Sequence, residues 1–146
     1  MASVVHLFRA PQRRLSMEEV ETADAVADLG FVGCAHAKKK SQRQVLLVDK
    51  ETLDAMDLRP GIIRENITTE GINVNGLGLG EELRIGPVLL QVSAVCTPCD
   101  QLEKVRPGLR REIYGRRGML CQVLQGGTIR AGDAIARVAA ASSSVL

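Results

Sequence analysis

The chain has 146 residues, of which 45% are apolar, 25% charged and 2% aromatic, and a formal net charge of +2. This is the make-up of an ordinary globular chain, long enough for one domain with its own hydrophobic core. With no Trp and so small a net charge, it lacks the stacking platforms and the positive field that a nucleic-acid binder needs.

The opening MASVVHLFRAPQRR has too short an apolar run, and no basic region ahead of it, to read as a secretory signal. No stretch approaches the ~18 apolar residues of a membrane span. The expectation is a cytoplasmic protein whose four cysteines are reduced thiols, metal ligands or catalytic groups rather than a disulfide framework.

Along the chain, short strands alternate with glycine turns. Val4 to Arg9 alternates and predicts the first strand. Gln44 to Val48 (QVLLV) is apolar and β-branched, as in a strand buried on both faces. Asp49 can cap a helix from Lys50 to about Asp57, with Leu53 and Met56 inward and Pro60-Gly61 as its stop. Ile62 to Thr69 and Asn73-Val74 are weaker strands. Pro87 to Val95 is the clearest, with Val88, Leu90, Val92 and Ala94 on one face. Cys99 to Val105 predicts a helical turn or two, and Pro107 to Tyr114 a short helix ended by Gly115. Gly118 to Leu124 and Asp133 to Val138 complete the set. Strands at this spacing predict a mainly β fold, a barrel or a sandwich, with two or three short helices. Residues 1–138 read as a single domain, and 139–146 (AASSSVL preceded by Ala) as a frayed tail.

The sequence VSAVCTPCDQL holds the chemistry. Cys96 and Cys99 have the spacing of half a zinc site, but a second tight pair is missing; Cys34, His36 and Cys121 are the only candidates to complete it. They also resemble a dithiol redox pair, though without the βαβ setting such a pair usually has. The third reading is a single reactive thiol, Cys99, beside a helix N-terminus where the dipole favours a thiolate. Cys96 would then pack at the strand end, and Cys121 would be a small buried hydrophobe.

Taken in order, GFVGCAHA, RQVLLVDKETL, LRPGIIRENITTEG, LGEELRIGPVLLQV, TPCDQL and GRRGMLCQVLQGGTIRAGD resemble the MOSC domain, the C-terminal domain of molybdenum-cofactor sulfurases. The resemblance runs from about Gly30 to Val138. It implies a closed or nearly closed β-barrel with one cysteine at the mouth of a cleft, and Cys99 matches that cysteine, as metal ligand or sulfur carrier. It implies the molybdenum cofactor, a molybdopterin held permanently or in passing, and leaves open a chain that holds none. Its partners would be a cofactor or sulfur donor protein and, for a reductase of N-hydroxylated compounds, an electron donor. General symmetry arguments leave a homodimer open.

The family pattern Gly-Asp-x-His reads Gly33-Cys34-Ala35-His36 here, so the aspartate that would orient His36 is replaced by a thiol. That departure makes a third reading worth weighing, a binding domain that has lost its chemistry. An anionic cofactor needs fixed donors, for which Arg64, Arg117 and the Lys38 to Arg43 cluster are candidates, Lys38 among them. Asn66 either lines the cleft or fixes a turn. His36, with an unperturbed pKa near ~6.5, is suited to proton handling. Asp133 reads as a turn residue.

Overall fold

The computed structural model describes residues 2–13 and 16–138, and the expected frayed tail lies outside the described residues. The fold is mainly β. An eight-stranded sheet runs in the order β11 (Ile135–Arg137), β7 (Glu82–Ile85), β8 (Val88–Val95), β9 (Met119–Gln125), β5 (Val45–Asp49), β6 (Ile67–Glu70), β1 (Ser3–Arg9), β2 (Glu18–Val20). A three-stranded sheet of β10 (Gly127–Arg130), β3 (Thr22–Val26) and β4 (Gly30–Phe31) packs with it.

Strand β5 is covered on both faces, as are the first residues of β8 and β9, which is why they read as continuous apolar runs. Along β5 all five residues are buried. Val45 and Leu47 join the core between the sheets with Leu7, Phe31, Ile67 and Leu90. Leu46 and Val48 turn the other way, toward Leu53, Ile63, Leu102, Leu109 and Ile113. That second core lies under α1 (Lys50–Ala55), α2 (Leu102–Val105) and α3 (Leu109–Glu112). Each fully buried Leu or Ile contributes on the order of 2 kcal/mol relative to exposure. Cys121 is fully buried in the inter-sheet core, and burial pushes its thiol up to about 12, as expected of a small hydrophobe.

Most pairs are antiparallel, but β5 and β6 are parallel, with Leu47 opposite Ile67. A parallel pair needs a crossover. Here it is α1 and the loop after it. Asp49 caps α1, its carboxylate accepting from the Thr52 N–H and hydroxyl at 3.2 and 2.9 Å. The returning loop delivers Arg64, Glu65 and Asn66 to the start of β6. At the same end of the sheet β8 finishes and β9 begins, Val95 opposite Met119. Three sequence motifs thus converge at one edge of the fold.

The strand ladder does not close, so the expected barrel is not borne out: β11 and β2 are the outer strands of the large sheet. Strand β1, next to the outer β2, approaches the start of β11 at a single bridge, Ser3 to Ala134, flanked by backbone bonds such as Val4 N–H to Asp133 O. Asn73-Val74, expected as a strand, enters a 3-10 turn over Val74–Gly76, where Asn73 O accepts from Gly76 N–H. Strands β2, β3, β4, β7 and β10 were not anticipated.

Candidate functional site

Where the motifs converge, a cavity of ≈350 Å³ is lined by Ile62, Ile63, Arg64, Cys99, Lys104 and Arg117, among others. A narrower one of ≈140 Å³ shares Cys99, Arg64, Gln101 and Arg117 with it and adds His36, Arg43 and Cys96. Cys99 is exposed and unbridged. Cys96 is buried and packs in the second core, its N–H donating to Gly118 O at 3.1 Å. The expected helix N-terminus at Cys99 is not there: α2 starts at Leu102 and has only four residues. Among the described residues, no group of three or more His, Cys, Asp and Glu is placed to hold a metal ion.

Arg117 is held in place by its neighbour. Gly118 has a φ of +108°, and a Cβ there would lie 2.3 Å from the Leu47 carbonyl oxygen. Only glycine lets β9 press this closely on β5. Arg117 is thereby buried, 8% exposed, with Nη2 donating to Ile63 O at 2.9 Å. Its Nε and Nη1 are buried with no hydrogen-bond partner. An unmet donor in a buried group costs about 1–3 kcal/mol, more for a charged one. Arg64, in the same lining, has a φ of 69°, a left-handed backbone rare outside glycine and concentrated at functional sites.

Glu65 is fully buried beside these groups. One oxygen accepts from Gly61 N–H at 2.7 Å and the Thr68 hydroxyl at 2.9 Å; the other has no partner. Burial pushes its carboxyl up, outweighing those donors and the charge of Arg117.

Asn66 is fully buried and does not line either cavity. It stands behind His36: Asn66 Oδ1 accepts from Leu46 N–H at 2.9 Å and meets His36 Nδ1 at 3.1 Å. Asn66 Nδ2 donates to Phe8 O at 3.2 Å and to Cys34 Sγ at 3.3 Å. Cys34 Sγ also accepts from Ala10 N–H at 3.3 Å. Burial raises the Cys34 thiol, but the His36 ring, the Ala10 N–H and the His36 backbone outweigh it and bring the group from 9.0 down to about 7. The thiol replacing the aspartate is therefore poised as an anion, and His36 keeps an orienting partner. Cys34 itself lies off both cavity walls.

The structure brings Cys99, His36, Arg64 and Arg117 to one cavity system and leaves out Lys38, which is exposed. From the Lys38 to Arg43 cluster it is Arg43 that reaches the wall. Gln101 and Lys104 were missed by sequence reasoning; their i, i+3 spacing puts them on one side of the helical turn after Cys99.

One exposed thiol stands among cationic side chains on a mainly β scaffold. The chain belongs to the MOSC domain family, whose model matches residues 35–136. Among solved structures it is similar to YuaD from Bacillus subtilis, with 20% identity and a TM-score of 0.77 over 92% of this chain and 94% of that one. It is also similar to YiiM from Geobacillus stearothermophilus, with 19% identity and a TM-score of 0.79 over 95% and 76%. YiiM from Escherichia coli gives 19% and 0.70 over 94% and 68%. At such identities the likeness speaks for the fold alone. No curated protein sequence matches the chain significantly.

Proposed function

We propose that this protein binds the molybdenum cofactor, or carries sulfur for it, at the cavity of Cys99. The observation that carries this reading is Arg117, a buried guanidinium in the cavity lining whose Nε and Nη1 have no hydrogen-bond partner. Such donors fit an anionic oxygen, and charge-assisted bonds to phosphate are the strongest use of a guanidinium. Arg64 and Lys104 add positive charge on the same wall. Cys99 supplies a soft sulfur ligand at its rim. The family's association with the molybdenum cofactor supports the reading, and the residues present fit it: Arg117 and Arg64 would hold the phosphate, and Cys99 would ligate the metal. When bound, the cofactor supplies a molybdenum centre for two-electron redox chemistry.

As a sulfur carrier, Cys99 acts as follows. Its thiolate attacks the outer sulfur of a donor cysteine persulfide. The donor S–S bond breaks, the donor cysteine leaves as a thiolate, and Cys99 holds the sulfur with no net oxidation. Reduction of N-hydroxylated compounds at the same cavity would in addition need an electron-donor partner. The alternative, a binding domain that has lost its chemistry with the aspartate, predicts no molybdenum and an unreactive Cys99.

The test is to load the chain with isolated cofactor and count molybdenum and pterin retained after gel filtration. Wild type is expected to keep both, Cys99→Ser to lose molybdenum, and Arg117→Met to keep less than a tenth of the pterin. Equal retention by all three overturns the proposal.

A further inference from the structure

The cavity wall next to Cys99 contains an imidazole whose tautomer is fixed from behind. Asn66 is fully buried, and its side-chain amide has its full complement of four hydrogen-bond partners. Two of them are backbone groups with only one possible role. Leu46 N–H can only donate, so the atom 2.9 Å from it is the amide oxygen. Phe8 C=O can only accept, so the atom 3.2 Å from it is the amide nitrogen. Flipping the amide would set donor against donor and acceptor against acceptor inside the core.

The oxygen so fixed lies 3.1 Å from His36 Nδ1. An amide oxygen only accepts, so Nδ1 must carry the hydrogen. A neutral imidazole has one N–H, which leaves Nε2 with a lone pair. A charged ring keeps the Nδ1 hydrogen as well, so only Nε2 changes its protonation. Nδ1 is turned to Asn66, while the ring lines the ≈140 Å³ cavity together with Cys99. Cys34 Sγ takes the second hydrogen of Asn66 Nδ2 at 3.3 Å and completes the clamp.

We propose that Asn66 is a positioning residue for His36: its oxygen holds the Nδ1 hydrogen and makes Nε2 the ring atom that exchanges protons with the Cys99 cavity. The inference involves no cofactor, so failure of the chain to retain one leaves it standing, and its own failure leaves cofactor binding untouched.

The experiment is a long-range proton–nitrogen correlation spectrum of the ¹⁵N-labelled full chain at alkaline pH, where an imidazole is neutral. The chain has two histidines, so His6→Gln assigns His36. The expected pattern is a protonated Nδ1 and an unprotonated Nε2. Alkylating the exposed Cys99 with iodoacetamide, with mass mapping of the modified thiol, is expected to move the Nε2 resonance more than that of Nδ1. In a Cys34→Ala background, which removes the thiolate bonded to the His36 ring, Asn66→Ala is expected to give a mixture of tautomers, and Asn66→Asp, which keeps the acceptor, to restore the Nδ1–H form. Should neither variant fold, the wild-type spectrum decides. An Nε2–H tautomer, an even mixture in wild type, or an alkylation shift confined to Nδ1 overturns the assignment.

Discussion

Cys34 occupies a position where a carboxylate would be an anion throughout the neutral range, and its surroundings make it one near neutrality. The cause is geometric: the His36 ring and the Ala10 N–H bond Sγ and together outweigh burial, and Asn66 Nδ2 donates to it as well. The sequence displays the substitution but not its consequence, because Ala10 and Asn66 are 24 and 32 residues away from Cys34. The same holds for Asn66, for which sequence left lining and turn-fixing open. It does neither, holding β1, β5 and His36 together from within the core. A thiol that ionises at about 7 when folded and 9.0 otherwise sheds its proton first in the native state. The unfolded chain then binds more protons, so stability rises with pH across that window and the contribution vanishes below it. Cys34→Ser keeps an acceptor that stays neutral. The wild-type minus Cys34→Ser difference in unfolding free energy should therefore grow between pH 7 and 9; a flat difference contradicts the anionic assignment.

At the level of elements, legibility followed burial. β5 and α1 were readable because β5 is apolar on both faces and Asp49 is a capping residue. β8 and β9 were readable from their apolar runs. β3 was not, since the residues it buries are Ala23 and Ala25, too small to stand out between Thr22, Asp24 and Val26. The three residues of β2 include two glutamates. α2 fell short of its expected start at Cys99, which moves the thiol off any helix end and leaves the cavity cations as its electrostatic setting. Gly118 joins element to site, because the close β5–β9 approach that it permits is what seats Arg117. Gly118→Ala sets a Cβ against the Leu47 carbonyl and is expected to cost about 3 kcal/mol or more in urea unfolding. A loss under about 1 kcal/mol would mean that the strand start can shift freely.

For the whole molecule, the mainly β class and the family were legible, the first from strand spacing and the second from the order of motifs. Closure into a barrel was not, because whether the sheet closes depends on pairings between distant parts of the chain, and here β1, inside the outer β2, meets the residue before β11 at one bridge. Neither was the cavity, which draws on the crossover loop before β6, the turn after β8 and the start of β9. None of the helices among the described residues is long and apolar enough to cross a membrane.

The account rests on the buried guanidinium of Arg117 taking an anion beside Cys99. Thermal unfolding with and without pyrophosphate, at matched ionic strength, measures this directly. A ligand at a hundred times its dissociation constant adds about 2.7 kcal/mol, on the order of 5–10 °C for a chain of this size. Wild type is predicted to show that rise and Arg117→Met to show little of it; no rise in wild type, or the same rise in both, would contradict the account.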